Sequence, residues 1–169
     1  LGPARTGILF IRRPMWETVS PVTVGAYSDQ KHDLGKRKLS WHPSAQRYEF
    51  GTQNEALFSG LGRALDFLLA AAPGRFMKHN RELADAARAG LEAQGREILS
   101  PSEPEYRTGI LTFRSKRPAG QTASDLQRAG FRVRVVNEAG LNGIRLSFHL
   151  YNTMEQAERF LEAMKAIDR

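Results

Sequence analysis

Cysteine is absent from this chain of 169 residues. Its absence excludes disulfides, cysteine-ligated zinc and thiol nucleophiles, and it suits a reducing compartment such as the cytoplasm. Long apolar runs are missing too. The longest, Ala64–Ala72, is broken by Asp66 and falls short of the roughly 18 residues that a membrane-spanning helix needs. The N-terminus does not carry the basic-then-apolar layout of a secretory signal. His32, His42, His79 and His149 lack any metal-ligand spacing. No nucleophile elbow, P-loop or dinucleotide fingerprint occurs. Acidic charge is scarce, leaving a net charge of +7 and a pI near 10.1. Such a balance raises the question of nucleic acid. The basic residues are scattered, however, and neither stripe a helix nor interleave with aromatics as stacking platforms do. The pattern therefore points away from a membrane and from nucleic acid. An acidic portion of a longer protein is an alternative source of the imbalance.

What is present is 41% apolar residues, enough to bury a core. "TGILFIRR" sets Ile8, Leu9, Phe10 and Ile11 in a row and predicts a strand buried on both faces. Nothing before it could flank such a strand, so the chain reads as cut from a larger protein. From Pro14 to Phe50 the text is polar and rich in Pro, Gly and Ser. It predicts a long loop with at most a short element. A helix is expected over 54–71, with Leu57, Leu61, Leu65 and Leu68 on one face and Pro73-Gly74 ending it. A second helix follows, with Phe76, Leu83, Ala87 and Leu91 inward and Gly95 beyond its end. Pro73-Gly74 marks the expected domain boundary.

Short alternating elements come next. "EIL" and "TGILTFR" read as strands, and "TASDLQRAG" as a short helix capped by Thr122 and closed by Gly130. "FRVRVV" and "GIRLSFHL" alternate apolar and polar positions. The last helix carries Met154, Ala157, Phe160, Leu161, Met164 and Ile167 on one face, and Thr153 and Gln156 stand at capping-box spacing. This half predicts a small α/β domain, a sheet covered by helices on one side.

Two places could carry chemistry. On "GIRLSFHL" the apolar positions face the helices, so Arg145, Ser147 and His149 project from the other face. Arg145 presents there a planar fork suited to a carboxylate, or is simply solvated. Gly51-Thr52, in "RYEFGTQNE", precedes the first long helix. A Gly-Thr step at a helix start suits a phosphate, while plain capping by Thr52, Gln53 or Asn54 is the simpler account of the pattern.

In this order, "LGPARTGILFIRR", "RYEFGTQNE" and "GIRLSFHLYNTMEQAERFLEAM" resemble the C-terminal portion of class V aminotransferases. These are fold-type I enzymes that use pyridoxal 5′-phosphate. The branch most resembled contains isopenicillin N epimerase-like and cysteine desulfurase-like proteins. The resemblance implies that residues 1–74 are the tail of the large cofactor-binding domain, and that 75–169 are the small C-terminal domain, a mixed sheet with helices on one side. It implies that Arg145 holds a substrate α-carboxylate. It implies that Thr52, with Gly51, reaches the cofactor phosphate across a homodimer interface, and that Gly2 and Pro3 form the turn beside the lysine loop.

The family's Schiff-base lysine is expected upstream of Leu1, together with the acid that pairs with the pyridine nitrogen. No catalytic residue is then assigned within the chain, which by itself is expected to be inactive. The missing cysteine argues against desulfuration, whose persulfide carrier lies in this half of the related proteins. Transamination, epimerisation and C–S lyase chemistry on an amino acid stay open. So does a non-catalytic α/β binding or interaction module.

Overall fold

Alternation along the chain does make strands, shorter than the pattern suggests. In the computed structural model, which describes residues 2–167, β3 (Ile110–Arg114) pairs with β5 (Gly143–Ser147). Leu111 lies opposite Leu146, and Phe113 opposite Ile144. β4 (Arg134–Val136) flanks the other edge of β5, with Val135 opposite Ile144. Both pairings are antiparallel, so the described sheet is not mixed as the resemblance implied. β3 and β4 do run the same way, joined through a helix as a split β-α-β unit, but β5 slots between them and no neighbours are parallel.

One face of that sheet is the core. Leu111, Phe113, Ile144 and Leu146 are 0–6% exposed. They meet Ala87 and Leu91 from α2 (Pro73–Ala93), Leu126 from α3 (Ala119–Arg128), and Phe160 and Met164 from α4 (Met154–Ile167). Each of the larger apolar side chains contributes about 1.5–3 kcal/mol by leaving water. Phe160 sets its ring edge-on to Phe113 and to Phe131. α2 and α4 come close because Gly90 has no side chain: a Cβ there would lie 2.3 Å from Leu161 Cδ1.

Helix ends follow local chemistry. Pro73 opens α2, and Gly95, at φ +68°, turns the chain out after it while Arg96 N–H bonds the Leu91 carbonyl. Thr153 and Gln156 cap α4 reciprocally, as their spacing predicts. α3 differs from expectation. It starts at Ala119, whose N–H bonds Asn142 Oδ1, so Thr122 sits inside the helix and hydrogen-bonds Ser115 at 2.8 Å instead of capping. A partner distant in sequence supplied the cap.

Contacts divide the chain into two units, Leu1–Phe67 and Leu68–Arg169, and all of the sheet above lies in the second. In the first, the loop expected over 14–50 contains a hairpin, β1 (Asp29–Asp33) with β2 (Lys38–Trp41). Asp33 Oδ1 accepts the Lys36 N–H across its turn. Ile8–Ile11 form no strand. Ile8, Leu9 and Phe10 are 71%, 69% and 81% exposed. A strand buried on both faces needs ladder partners and two covering layers, and none of the described residues supplies them. α1 (Glu55–Ala70) buries no residue completely, with Leu57, Leu61 and Leu68 half-covered and Leu65 40% exposed. No single described helix is long and apolar enough to cross a membrane.

Candidate substrate and cofactor site

Arg145 sits mid-strand on β5, on the face turned away from the helices, between Thr112 of β3 and Arg134 of β4. It is half-buried, and its Nε is wholly buried with no hydrogen-bond partner among the described residues. Leaving a buried donor unsatisfied costs about 1–3 kcal/mol, and more for a charged group. Arg134 is in a different state although it is the next guanidinium on that face. Its Nη2 donates to Glu138 at 3.0 Å. The Glu138 carboxyl is held below its ordinary value, first by its own backbone N–H and then by Arg134. Arg134 is thus neutralised from within the chain and Arg145 is not. That asymmetry fits a carboxylate arriving from outside.

Ser147 ends the strand and is exposed. His149 lies beyond it and so leaves the alternation that would set it beside Arg145. It stacks between Tyr151, at 5.2 Å, and Phe76, at 6.2 Å. Asn152 fixes this corner, with Oδ1 accepting from His149 N–H and its carbonyl accepting from His79 Nε2. The "Tyr-Asn-Thr" stretch is therefore a structural hinge that holds the end of the Arg145 strand against α2 and α4.

In the first unit, Gly51-Thr52 does not cap α1. Asn54 does, its Oδ1 accepting from Leu57 N–H at 3.1 Å. The Thr52 hydroxyl is exposed and unengaged among the described residues, and none of them lies within 4 Å of where a Gly51 Cβ would stand. The step thus keeps a free hydroxyl and open backbone, the donor set a phosphate requires. Gly2, at φ +112°, and Pro3 make the expected turn, in which Thr6 Oγ1 donates to the Pro3 carbonyl and Pro3 packs against Gly60 of α1.

Two supports escape a sequence reading. Arg47 opens the motif that contains Gly51-Thr52. Its Nε donates to the His42 carbonyl at 3.0 Å and its guanidinium stacks on Trp16 at 5.4 Å. Gly25 presses so closely on Phe50 that a Cβ would lie 1.7 Å from the Phe50 carbonyl oxygen. Both fix the approach to Gly51. Their signal in the text was faint, a lone Trp and a lone Gly in a polar stretch.

Residues 1–160 match the model of the aminotransferase class-V family. The chain belongs to that family. A probable cysteine desulfurase of Pyrococcus abyssi is 25% identical over 99% of this class-V chain and 44% of its own length. The isopenicillin N epimerase of Streptomyces clavuligerus is 27% identical over 99% of the chain and 44% of its own length. The class-V chain thus spans less than half the length of the curated relatives it matches. Among solved structures, the apo cysteine desulfurase of Thermococcus onnurineus superposes with a TM-score of 0.81 at 24% identity, covering 94% of this chain and 42% of that one. This likeness establishes the α/β fold. The class-V family is one of pyridoxal-phosphate-dependent enzymes.

Proposed function

We propose that this chain is the substrate-gripping part of a pyridoxal-phosphate enzyme that acts on an amino acid. Arg145 holds the α-carboxylate, and Gly51 with Thr52 contacts the cofactor phosphate in a homodimer. The observation that carries the reading is the buried, unpartnered Nε of Arg145 beside an Arg134 already matched by Glu138.

Bound pyridoxal phosphate supplies an electron sink that loosens a bond at the amino-acid Cα. The residues of this chain grip and orient. A guanidinium fork donates two parallel hydrogen bonds to a carboxylate, which fixes the plane of the carboxylate and so the direction in which the Cα substituents point. The Gly51-Thr52 backbone and hydroxyl are hydrogen-bond donors for phosphate oxygens. Absence of cysteine sets the reading apart from desulfuration through a persulfide carrier in this half, and it leaves transamination, epimerisation or C–S lyase chemistry. No lysine here is assigned as the cofactor anchor. Lys31, Lys36 and Lys38 lie in or beside the β1–β2 hairpin.

In this reading the 169-residue chain alone forms no covalent adduct with the cofactor. Mixed with pyridoxal phosphate and borohydride, it should yield no site-specific reduced adduct, and stoichiometric labelling of one lysine overturns the assignment. In an active enzyme containing this chain, Arg145→Ala should weaken the amino acid by about 2–5 kcal/mol while cofactor absorbance persists. Unchanged affinity would return Arg145 to an ordinary solvated arginine.

A further inference from the structure

The sheet opens into a wedge on the far side of β4. The β4–β5 ladder ends where Arg134 stands opposite Arg145, although continued pairing would bring residues 131–133 beside 146–148. A cavity of about 490 Å³ lies between these segments. That is within the roughly 300–1,000 Å³ range of small-molecule sites. All its lining residues belong to the second unit.

The floor is apolar. Phe131, Val133, Leu146 and Phe160 line it, the last two being 6% and 4% exposed. The charge on the walls is of one sign only. Arg132 and Arg159 stand there with Tyr151 and Ser147, and no Asp or Glu lines the space. Gln156 Oε1 already accepts from Asn152 Nδ2 and Thr153 N–H, so what Gln156 has left to offer is its amide donors.

This is unusual for the unit. Its other arginines commonly meet acids: Arg107 with Asp85, Arg114 with Glu97, Arg117 and Arg128 with Asp125, Arg134 with Glu138. Arg132 and Arg159 enter no ion pair or hydrogen bond among the described residues. A concave site walled by cations over a low-dielectric floor concentrates positive potential. Solvated surface arginines need neither the concavity nor the acid-free wall.

We propose that this wedge binds a small amphipathic organic anion. An aromatic or branched aliphatic body rests on Phe131, Val133 and Leu146, and a carboxylate meets the guanidiniums of Arg132 and Arg159. Neither Arg145 nor Thr52 lines the cavity, so the site stands apart from the substrate and cofactor reading and does not depend on it.

The test uses the whole 169-residue chain, isotope-labelled for amide NMR, titrated with 4-phenylbutyrate and separately with 4-phenylbutanol. The carboxylate should shift amides at Gly130–Val133, Ser147 and Asn152 saturably, and the alcohol should bind at least about tenfold more weakly. Arg132→Gln with Arg159→Gln should cost the carboxylate a similar factor. Arg145→Gln should leave its affinity unchanged. Equal binding of acid and alcohol, undiminished binding by the double variant, shifts centred on Arg145, or no shifts at millimolar carboxylate would each overturn the proposal. Arg132 and Arg159 are exposed, and the unliganded spectrum reports directly whether each variant keeps the fold.

Discussion

Ile8, Leu9 and Phe10 are as apolar as Leu111, Phe113 and Ile144, and their fates are opposite. The first three are 69–81% exposed and the second three are 0–1% exposed. Among the described residues before Leu68 only Ser28 is buried, whereas every buried apolar residue lies between Leu83 and Met164. The difference is not hydrophobicity. The second set belongs to strands with neighbours on the sheet and helices over one face, while the first set has neither. Burial is a property of arrangement: an apolar segment becomes core only when backbone partners and a covering layer come with it.

The comparison can be broken most directly at the rings. Phe113→Ala should destabilise the Leu68–Arg169 unit by about 3–5 kcal/mol, through lost transfer energy and the cavity left under Phe160. Phe10→Ala should stay within about 0.5 kcal/mol, because the ring is already in water. Urea unfolding of both variants measures the contrast, and comparable losses would mean that Ile8–Ile11 pack in solution.

A smaller effect separates capping from ligand contact in the first unit. Asn54→Ala should cost α1 about 1 kcal/mol and lower its helicity, since a first-turn N–H loses its acceptor. Thr52→Ala should leave helicity unchanged. Circular dichroism of the two variants decides. Equal loss would make Thr52 part of the cap and remove its free hydroxyl from the phosphate reading.

The smallest effect is electrostatic and belongs to the second unit. Arg114 holds the Glu97 carboxyl below its ordinary value, chiefly by a side-chain hydrogen bond. A carboxylate with a depressed folded pKa stabilises the fold above its ordinary value, and that contribution is lost as pH falls through the folded one. Acid unfolding followed on Glu97→Gln should therefore show a shallower loss between those two values than the parent, because the variant starts slightly less stable at neutral pH and the two converge in acid. An unchanged acid slope would mean that the exposed pair is screened away.

Most of the second unit was legible in the text. The spacing of Leu83, Ala87 and Leu91 placed α2, the alternation in "TGILTFR" and "GIRLSFHL" placed β3 and β5, and the Thr153–Gln156 spacing placed the start of α4. Thr122 misled because its rival for the helix start, Asn142, lies 23 residues away along the chain from the N–H it caps. The β1–β2 hairpin was missed because β1 is polar throughout and the alternation in β2 lasts only four residues, too short to stand out as a period-2 signal. Among site residues, Arg145 showed itself as a cation in an apolar strand. The neutralised state of Arg134 did not, since it depends on Glu138 folding back over a short turn.

The sequence by itself determined which segments become helix or strand in the second unit, and which face of each is apolar, because those are matters of local periodicity and capping within a few residues. Only the tertiary structure decided that β5 runs between β3 and β4, that Arg145 is left without an acid while Arg134 has one, and that a wedge opens beside Arg132 and Arg159. Each of these depends on which distant strands share a ladder and where that ladder stops. Pairing of that kind is settled by the balance of burial and chain entropy over the whole unit, and no short window of residues contains it.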